Sequence, residues 1–431
     1  MVALHGSGIR LRMISWFLNR HRTTVRRWIL RAENHEPLQD RKRNGRPAVY
    51  SQETKLKTIA FYCQVSPLPG FGSWSSRWAA KYLDSHRDIL GCAPSYSTIL
   101  RNLTSHALRP YLHKYFLTVT DPDFFPKMEH IIDLYLKPPE YLFNFDECPG
   151  IQVTHPLSPN LPASPGTPQY EDPSYKRNGT VDLLAFLNPK DGKVFGRCTD
   201  NHNTRTLIDV FREHVATLPS DASLHYIMDN LSTHFHEEFC NTVAELSNVS
   251  YSFLKTGKER RRWLQSDHKR IVIHFVPFHG SWLNMIEIWF GILNKRFLKH
   301  QPLASRRFTR ESIHSAIDMW NELFSHPFSW KYTGAGLHEK VINRFNTQLL
   351  IENKQMDCKS LTKQLSLMYN MAQEYPQKTE TAEWNQLRNL FQRRGSYFDA
   401  VINDSDVKER AKANACEALD RLSAMLIPPA A

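Results

Sequence analysis

The sequence lacks the features that mark several classes of protein. Its seven cysteines, at positions 63, 92, 148, 198, 240, 358 and 416, form no CxxC pair, and their odd number argues against a disulfide framework. The twenty histidines show no zinc-binding spacing. No apolar run is long enough to span a membrane, and the N-terminus is too basic and too broken for a signal peptide. We therefore expect an intracellular protein with reduced thiols and no membrane partner.

The chain has fewer acidic than basic residues, with 43 Asp and Glu against 55 Lys and Arg, and its formal net charge is +12. The total by itself indicates only solubility and electrostatic steering, but the charge is unevenly distributed. Residues 1–47 contain eleven basic and three acidic residues. This concentration favours a polyanionic partner for the N-terminal segment.

The basic segment has the apolar spacing of two short helices. Residues 10–18 carry the apolar set Leu11, Ile14, Phe17 and Leu18, and a break follows at 19–22. The run 23–32 then turns Val25, Trp28 and Ile29 inward. This pattern is typical of a helix-turn-helix, whose second helix enters a major groove. A basic hairpin that binds nothing specific is the alternative. In the first interpretation, the side chains that face DNA are Arg22, Thr23, Thr24, Arg26, Arg27 and Arg31.

A basic Gly-Pro segment, RNGRP at 43–47, follows this pair of helices. Its Arg43 and Arg46 suit a narrow minor groove, although an ordinary interdomain linker has the same composition. Residues 74–83 and 95–108 then predict two amphipathic helices. These helices form either a second DNA-binding module, with Arg101 near DNA, or a unit that only packs. The predicted domains are 1–47 and 48–120.

Two apolar runs further along the chain reach an acidic residue. The run YLFNFDE at 141–147 predicts a buried strand, and alternation places Asp146 on the opposite face from Glu147. The run SLHYIMDN at 223–230 stops at Asp229, which is followed by Asn230 and His234. An Asp that caps the next turn is the structural alternative at each position. Asp146 and Asp229 are the candidate functional acids.

A third acid lies in the run HGSWLNMIEIWFGILNKRF at 279–297. Ser281 is the predicted N-cap of a helix whose apolar residues recur at steps of three and four. At about 100° per residue, Glu287 falls roughly 40° beyond the edge of that stripe. A solvated Glu at the border of an amphipathic helix is the alternative. Together with the two Asp residues, Glu287 suits hard divalent cations, which activate an attacking oxygen in phosphodiester chemistry.

The sequence resembles the DDE transposases of the mariner superfamily, especially its bacterial insertion-sequence branch, over roughly the first 335 residues. The segments that carry the resemblance are RTTVRRW (22–28), RNGRP (43–47), FDE (145–147), NGTVDLLAFLNPKDGKVFGRCTDNHN (178–203), DNLSTH (229–234), HGSWLNMIEIWF (279–290) and PFSWKYTG (327–334). The resemblance implies an α/β RNase H-like core, a mixed sheet flanked by helices, preceded by all-α helix-turn-helix modules. It also implies a catalytic and metal-binding triad of Asp146, Asp229 and Glu287, supported by Asn230, His234 and Asn284.

Three departures from the family pattern carry expectations of their own. Family members have a further helix before the first pair, whereas this chain begins almost at Ile9, so the unit is expected to be truncated or weakly folded. The segment 253–270 has seven basic and two acidic residues, including Arg260, Arg261 and Arg262, and forms a DNA-contacting insertion or a disordered charged loop. Residues 338–431 predict a helical extension that oligomerises, binds DNA or caps the fold.

The core is predicted to span residues 121–337. Residues 181–187 and 193–198, joined by NPKDG, predict a hairpin, and the six-proline stretch 153–180 predicts a surface loop.

The function that follows is a DNA transposase that uses Mg²⁺ or Mn²⁺. By resemblance, its partners are double-stranded DNA with terminal inverted repeats and a TA-type target, and we expect a homodimer or higher synaptic complex associated with DNA, in the nucleoid, cytoplasm or nucleus. Two alternatives remain. One is a catalytically inactive, domesticated DNA-binding regulator, and the other is a nuclease that cuts without joining.

Overall fold

A computed structural model of the chain describes residues 1–39, 49–63, 68, 70–109, 119–350, 356–393, 395–404 and 406–427. The chain separates into two compact units, Met1–Phe116 and Leu117–Ala431.

The first unit begins with three helices around a very small core. The helices are α1 (Val2–Gly6), α2 (Leu11–Phe17) and α3 (Arg22–Glu33). Ile14, Val25 and Ile29 are buried together, and Leu4 of α1 packs against them. The expectation that no helix precedes Ile9 was wrong, because Leu4 contributes to the same core as the predicted pair.

Four further helices form a second cluster in this unit. They are α4 (Gln52–Tyr62), α5 (Ser76–Ser85), α6 (Arg87–Leu90) and α7 (Tyr96–Ser105). Serines at 51, 75 and 95 cap three of them by accepting backbone N–H bonds. The two predicted helices correspond to α5 and α7. Helix α4 was not predicted. Its buried residues, Thr58, Phe61 and Tyr62, all lie in its C-terminal half, so no apolar stripe runs along the whole helix.

The second unit is built on a five-stranded sheet in the order β3-β2-β1-β4-β5. Its strands are β1 (Tyr141–Pro156), β2 (Tyr175–Leu187), β3 (Val194–Thr199), β4 (Leu224–Met228) and β5 (Ile271–Phe275). The first three pair antiparallel, whereas β1, β4 and β5 run parallel. This is the mixed sheet predicted from the sequence.

The hairpin between β1 and β2 is longer than predicted. The stretch 153–180 was expected to be a loop because of its six prolines, but β1 runs to Pro156 and β2 begins at Tyr175. Pairing continues past irregularities after Cys148 and Gln152 to the pair Pro156↔Tyr175. Proline is compatible with this outer part of the ribbon because an edge position needs no donated backbone bond.

One face of the sheet is covered by three helices. These are α9 (Thr204–Ala216), α10 (Glu237–Leu246) and α11 (Gly257–Gln265). They pack on inward side chains of the strands, including Phe143, Phe145 and Phe186. The basic segment 253–270 is therefore ordered where α11 forms. Thr256 and Glu259 build a capping box at its start, and Leu264 is fully buried.

The other face carries α8 (Phe124–Leu136), α12 (Ile286–Ile292) and α13 (Arg306–Met319). The last two continue into wider π-helical turns, Leu293–Leu298 and Trp320–Phe324. Trp289 of α12 and Ile313 of α13 are fully buried against Leu183 and Ala185 of β2.

Three histidines form a hydrogen-bonded chain between α8 and the parallel strands. The Nε2 atom of His130 lies 2.9 Å from Nδ1 of His274, whose Nε2 lies 3.0 Å from Nδ1 of His225. Burial and the neighbouring rings lower the pKa of His274 to about 3. The ring of His274 is therefore neutral at physiological pH, and burial also lowers the pKa of His130 and His225.

The C-terminal region is helical, as predicted. It contains α14 (Leu337–Leu350), α15 (Cys358–Glu374), α16 (Ala382–Arg393), α17 (Gly395–Ile402) and α18 (Glu409–Leu426). Their apolar faces share one hydrophobic cluster with α8 and with Leu142 and Ile227 of the sheet. Within the described residues, no helix combines the length and apolar character that crossing a membrane requires.

Candidate active site

The sheet register places Asp146 and Asp229 side by side. Asn144 of β1 is paired in parallel with Ile227 of β4, and each Asp lies two residues beyond its member of this pair. Neighbouring strands are about 4.8 Å apart, so the two carboxylates leave the same edge of the sheet as neighbours. The predicted assignment of Asp146 to the face of Leu142, opposite Phe143 and Phe145, is confirmed by the clusters these residues join.

Glu287 lies in the first turn of α12 and is exposed. The predicted N-cap at Ser281 was wrong. Residues Ser281–Leu283 form a separate 3₁₀ turn, and α12 begins only at Ile286. The apolar stripe of the prediction is nevertheless largely buried, and Glu287 lies beside it as expected.

The break before α12 is held in place by Asn284. Its amide Nδ2 donates to the carbonyl oxygen of Phe145 (2.8 Å) and to Oδ2 of Asp146 (3.3 Å). The amide of Asn144 donates to Oδ1 of Asn284 (3.0 Å), and the Tyr135 hydroxyl donates to the carbonyl oxygen of Leu283 (2.7 Å). Asn284 therefore ties the start of α12 to the strand that carries Asp146, while its supporting role in the site stays a prediction.

His234 bridges two carboxylates below the sheet edge. Its Nδ1 lies 2.8 Å from Oδ1 of Asp229, and its Nε2 lies 3.0 Å from Oε1 of Glu147. The imidazole is fully buried, and the Glu147 side chain is 5% exposed. Burial by itself would lower the pKa of His234, but the two carboxylates outweigh it and raise the pKa to about 10. The ring is thus an imidazolium that donates to both acids.

The acids differ in the charge that surrounds them. Burial raises the pKa of Asp146 well above its usual value, and the negative charges of Asp229 and Glu147 raise it further. Glu287 is exposed as a residue, but partial burial of its carboxylate and the charge of Asp229 also raise its pKa. Burial opposes ionisation of Asp229 as well, but the hydrogen bond and charge of His234 lower its pKa below the usual value. The site therefore has more negative charge than His234 compensates.

The three predicted carboxylates are electrostatic neighbours and not a closed ligand set. In the part of the chain that the structure describes, no three His, Cys, Asp or Glu side chains converge closely enough to hold a metal ion. Three like charges repel one another, which accounts for their separation. Their oxygen donors and uncompensated charge nevertheless suit a hard divalent cation. The assignment of Asp146, Asp229 and Glu287 as metal ligands stays a prediction.

Asn230 is the remaining predicted supporting residue, and its role in the site stays a prediction. Its amide donates to the carbonyl oxygen of Val276, which fixes the ends of β4 and β5 relative to each other.

Two features of the site were missed in the sequence. Glu147 was set aside because it points away from Asp146, but it anchors His234 from that opposite face.

The second feature is Asp182 of β2, which is buried near Cys148. Its Oδ1 accepts the Gly150 N–H (2.8 Å), and its Oδ2 lies 2.8 Å from Nδ1 of His202. Burial, with the charges of nearby acids, raises the pKa of the Cys148 thiol to about 11. No local spacing reveals these contacts, because the partners are far apart in sequence.

The predicted DNA-facing residues of α3 divide into two groups. Arg22, Thr23, Arg26 and Arg27 are exposed, and Thr24 is half-buried. Arg31 is also half-buried, since its guanidinium donates to the carbonyl oxygens of Pro37 and Gln39 and lies 4.6 Å from the centre of the Trp28 ring. Arg31 is thus engaged within the protein, unlike the other members of the predicted set.

The remaining predicted basic residues also differ. Arg101 is exposed on α7, whereas Arg43 and Arg46 lie outside the described residues. On α11, Arg262 is exposed. By contrast, Arg260 lies 3.4 Å from Glu237, and the Arg261 guanidinium packs over the rings of Phe235 and Phe278.

Comparison with known families agrees with this architecture. Residues 142–309 match the family described as DDE superfamily endonuclease, and residues 24–103 match the homeodomain-like domain family. The first match contains all three predicted acids, and the second begins within α3 and ends within α7. The predicted fold class is confirmed: helix-turn-helix modules precede an RNase H-like mixed sheet, and a helical region follows. A segment similar to homeodomain-like domains thus precedes one similar to DDE superfamily endonucleases.

Similar solved structures include three complexes of the Mos1 transposase. The paired-end complex with the left transposon end has 15% identity and a TM-score of 0.31, covering 70% of this chain and 86% of that chain. The strand transfer complex has 13% identity and a TM-score of 0.33, covering 74% and 93%. The mariner paired-end complex with Mn has 13% identity and a TM-score of 0.32, covering 75% and 97%. A search of curated proteins gave no match.

Proposed function

We propose that this chain is a DNA transposase of the mariner superfamily, in its bacterial insertion-sequence branch, that binds terminal inverted repeats and cuts and joins DNA. The observation that supports this proposal is that Asp229 of β4 lies within electrostatic reach of both Asp146 of β1 and Glu287 of α12, in the segment that matches the DDE endonuclease family. The exposed basic face of α3, in a homeodomain-like domain of the same chain, adds a means of binding duplex DNA.

In this proposal, Asp146, Asp229 and Glu287 hold Mg²⁺ or Mn²⁺. Bound there, the ions supply an activated oxygen nucleophile and stabilise the leaving oxygen of a phosphodiester. The negative charge that His234 leaves uncompensated is the reason for placing cations at these acids.

The residues around the acids set their orientation. Asn284 donates to one oxygen of Asp146, and the backbone N–H of Glu147 donates to the other (2.9 Å). His234 and the backbone N–H of Leu231 both donate to Oδ1 of Asp229, which leaves its Oδ2 free to turn toward a ligand. Positioning of this kind fixes ligand geometry before substrate arrives.

The partners proposed are two DNA duplexes, the element's terminal repeat and a TA-type target. Recognition by α3 positions the protein through phosphate contacts and reads base edges from the same exposed side chains. We further propose a homodimer or higher synaptic complex, because two element ends must be cut and joined together. Such a protein acts where DNA is, in the nucleoid or nucleus.

The alternative is an inactive DNA-binding regulator that keeps the fold. One observation favours it, namely that the three acids do not converge to ligand distances in the described structure. The two functions differ in whether DNA is cut.

The test incubates purified full-length protein with labelled duplexes taken from the DNA that flanks the gene, with Mg²⁺ or with a chelator. Wild type is expected to nick and join these duplexes only with Mg²⁺. Asp229→Asn should abolish both reactions, whereas Asp221→Asn, at an exposed acid just before β4, should retain them. Binding without cutting by the wild type establishes the regulator, cutting without joining establishes a nuclease, and cutting by Asp229→Asn contradicts the site assignment.

A further inference from the structure

A cluster of aromatic rings lies on the turn before α12 and on residues 330–332. Trp282 belongs to the 3₁₀ turn before α12, and its side chain is 40% exposed. Its ring stacks on Trp330 with 19° between the planes and 6.5 Å between centroids. Tyr332 meets Trp282 edge-on at 5.4 Å and is 37% exposed. We call Trp282, Trp330 and Tyr332 the aromatic platform.

The platform is connected directly to the site. Trp282 is two residues from Asn284, so their Cα atoms are at most about 7 Å apart, and Asn284 donates to Asp146. Behind it, Trp330 contacts Tyr135 at 5.0 Å between ring centroids. The Tyr135 hydroxyl in turn donates to the carbonyl oxygen of Leu283. A molecule on the platform would therefore lie on the turn that leads into Asn284, which donates to Asp146.

The segment that carries Trp330 and Tyr332 is held in place although it has no regular secondary structure. The indole N–H of Trp330 donates to the carbonyl oxygen of Tyr332. Gly334 has a positive φ of 77° and lies so close to α8 that an added Cβ would come within 2.8 Å of the Met128 side chain. A fixed position means that the rings lose little conformational freedom when a ligand stacks on them.

We propose that the aromatic platform binds an unpaired nucleobase of the DNA whose backbone lies at the carboxylates; this inference rests on the proposed function. Single exposed aromatic residues are ordinary, but exposed rings gathered beside a reaction site indicate a ligand. A flat, rigid ring surface suits a base that has left its stack, since every base has a π face. Lys331, exposed between Trp330 and Tyr332, supplies a positive charge for a phosphate of that nucleotide.

The occupant is a base and not a protein segment because the charge and the neighbouring chemistry both favour DNA. Lys331 and the chain's net charge of +12 attract a polyanion. Base stacking on an aromatic side chain is typically worth a factor of about 5 to 100 in affinity. The platform thus favours DNA that is locally unpaired at the position of cutting over intact duplex.

The test measures binding of full-length protein, without divalent metal, to two short duplexes that differ only in whether one 2-aminopurine base is paired or unpaired. Stacking on an aromatic ring quenches the fluorescence of this adenine analogue. We expect the wild type to bind the unpaired duplex about 5- to 100-fold more tightly and to quench its fluorescence. Trp282→Ala should lose the preference and the quenching, whereas Trp282→Phe should keep most of both.

The matched control is Phe324→Ala, which removes a 51% exposed ring outside the platform and should behave as wild type. Thermal unfolding of each variant shows that the fold is retained. Equal affinity of the wild type for the two duplexes, or an unchanged preference in Trp282→Ala, overturns the inference. A change in self-association with unchanged DNA preference also overturns it and makes the platform a protein contact. Because no metal is present, these outcomes are independent of cutting, which tests the proposed function separately.

Discussion

Removal of the His234 imidazole is expected to destabilise the protein strongly. In His234→Ala, Glu147 keeps a nearly buried carboxylate without its cationic partner, and Asp229 loses the donor that lowers its pKa. Breaking a buried ion pair by removal of one partner costs about 3–5 kcal/mol. The ring also packs edge-on against Phe145, with 5.4 Å between centroids. We therefore expect the free energy of unfolding at pH 7 to fall by about 3–5 kcal/mol.

The assay is urea unfolding of full-length protein without divalent metal, arranged as a double-mutant cycle. Glu147→Gln removes the buried charge, so Glu147→Gln with His234→Ala should cost less than the sum of the two single changes. Residues in direct contact show coupling energies of about 0.5–3 kcal/mol. The control is His300→Ala, which breaks an exposed pair with Glu171 and should cost no more than about 1 kcal/mol.

Two results would refute this reasoning. The first is a cost for His234→Ala that is no larger than that for His300→Ala. The second is strict additivity of the changes at 147 and 234, which would mean that the Nε2 contact to Glu147 contributes nothing to stability.

Three other predictions concern the backbone, the histidine chain and DNA. Gly192→Ala should lower the free energy of unfolding by about 1–3 kcal/mol, because φ is +76° and an added Cβ would lie 2.0 Å from a backbone carbonyl oxygen. Gly291→Ala lies in a helix with open space around the Cβ position, and it should instead raise the free energy of unfolding by about 0.5–1 kcal/mol in the same urea assay. The pKa of His274 is about 3 in the folded protein and 6.5 in the unfolded chain. The unfolded chain therefore binds a proton more readily between these pH values, and the contribution of the neutral ring to stability is lost as pH falls from 6.5 toward 3. The free energy of unfolding should fall by up to about 1.4 kcal/mol per pH unit in this range. His274→Gln should therefore flatten the acid limb of stability against pH, and an unchanged limb would contradict the assignment. Arg262→Ala should weaken DNA binding and reduce the slope of log affinity against log salt by about 0.9 without loss of stability. Arg260→Ala breaks an internal ion pair and should instead lower stability. Equal effects of the two changes on the salt slope would contradict the assignment of Arg262 to DNA and of Arg260 to the internal ion pair.

Local pattern in the sequence was sufficient for the elements that hold the acids. Alternation in 141–147 assigned Asp146 and Glu147 to opposite faces of β1, and the apolar spacing of 279–297 placed Glu287 beside a buried stripe. The turn residues NPKDG identified the hairpin of β2 and β3, where Gly192 takes a positive φ. These predictions succeeded because each depends only on residues within about two turns of one another.

The same local reasoning failed where distant contacts decide the structure. Ser281 is a good N-cap in isolation, but the bonds between Asn284 and β1 delay the start of α12 to Ile286. Prolines predicted a loop at 153–180, whereas antiparallel pairing extends the strands to Pro156 and Tyr175. For the basic run 253–270, a disordered charged loop was one of the two predicted alternatives, but burial of Leu264 makes part of the run a packed helix.

What the sequence by itself determined is therefore the kind of domain and the elements on which its three candidate acids lie, because strand ends, helix faces and motif order are written in neighbouring residues. Only the tertiary structure decided how those acids are supported. The His234 bridge joins Glu147 to Asp229 across 82 positions of sequence, and the Asn284 amide reaches Asp146 across 138. Such contacts depend on sheet register and packing, which no spacing in the chain encodes. The buried imidazolium and the aromatic platform both belong to this second category.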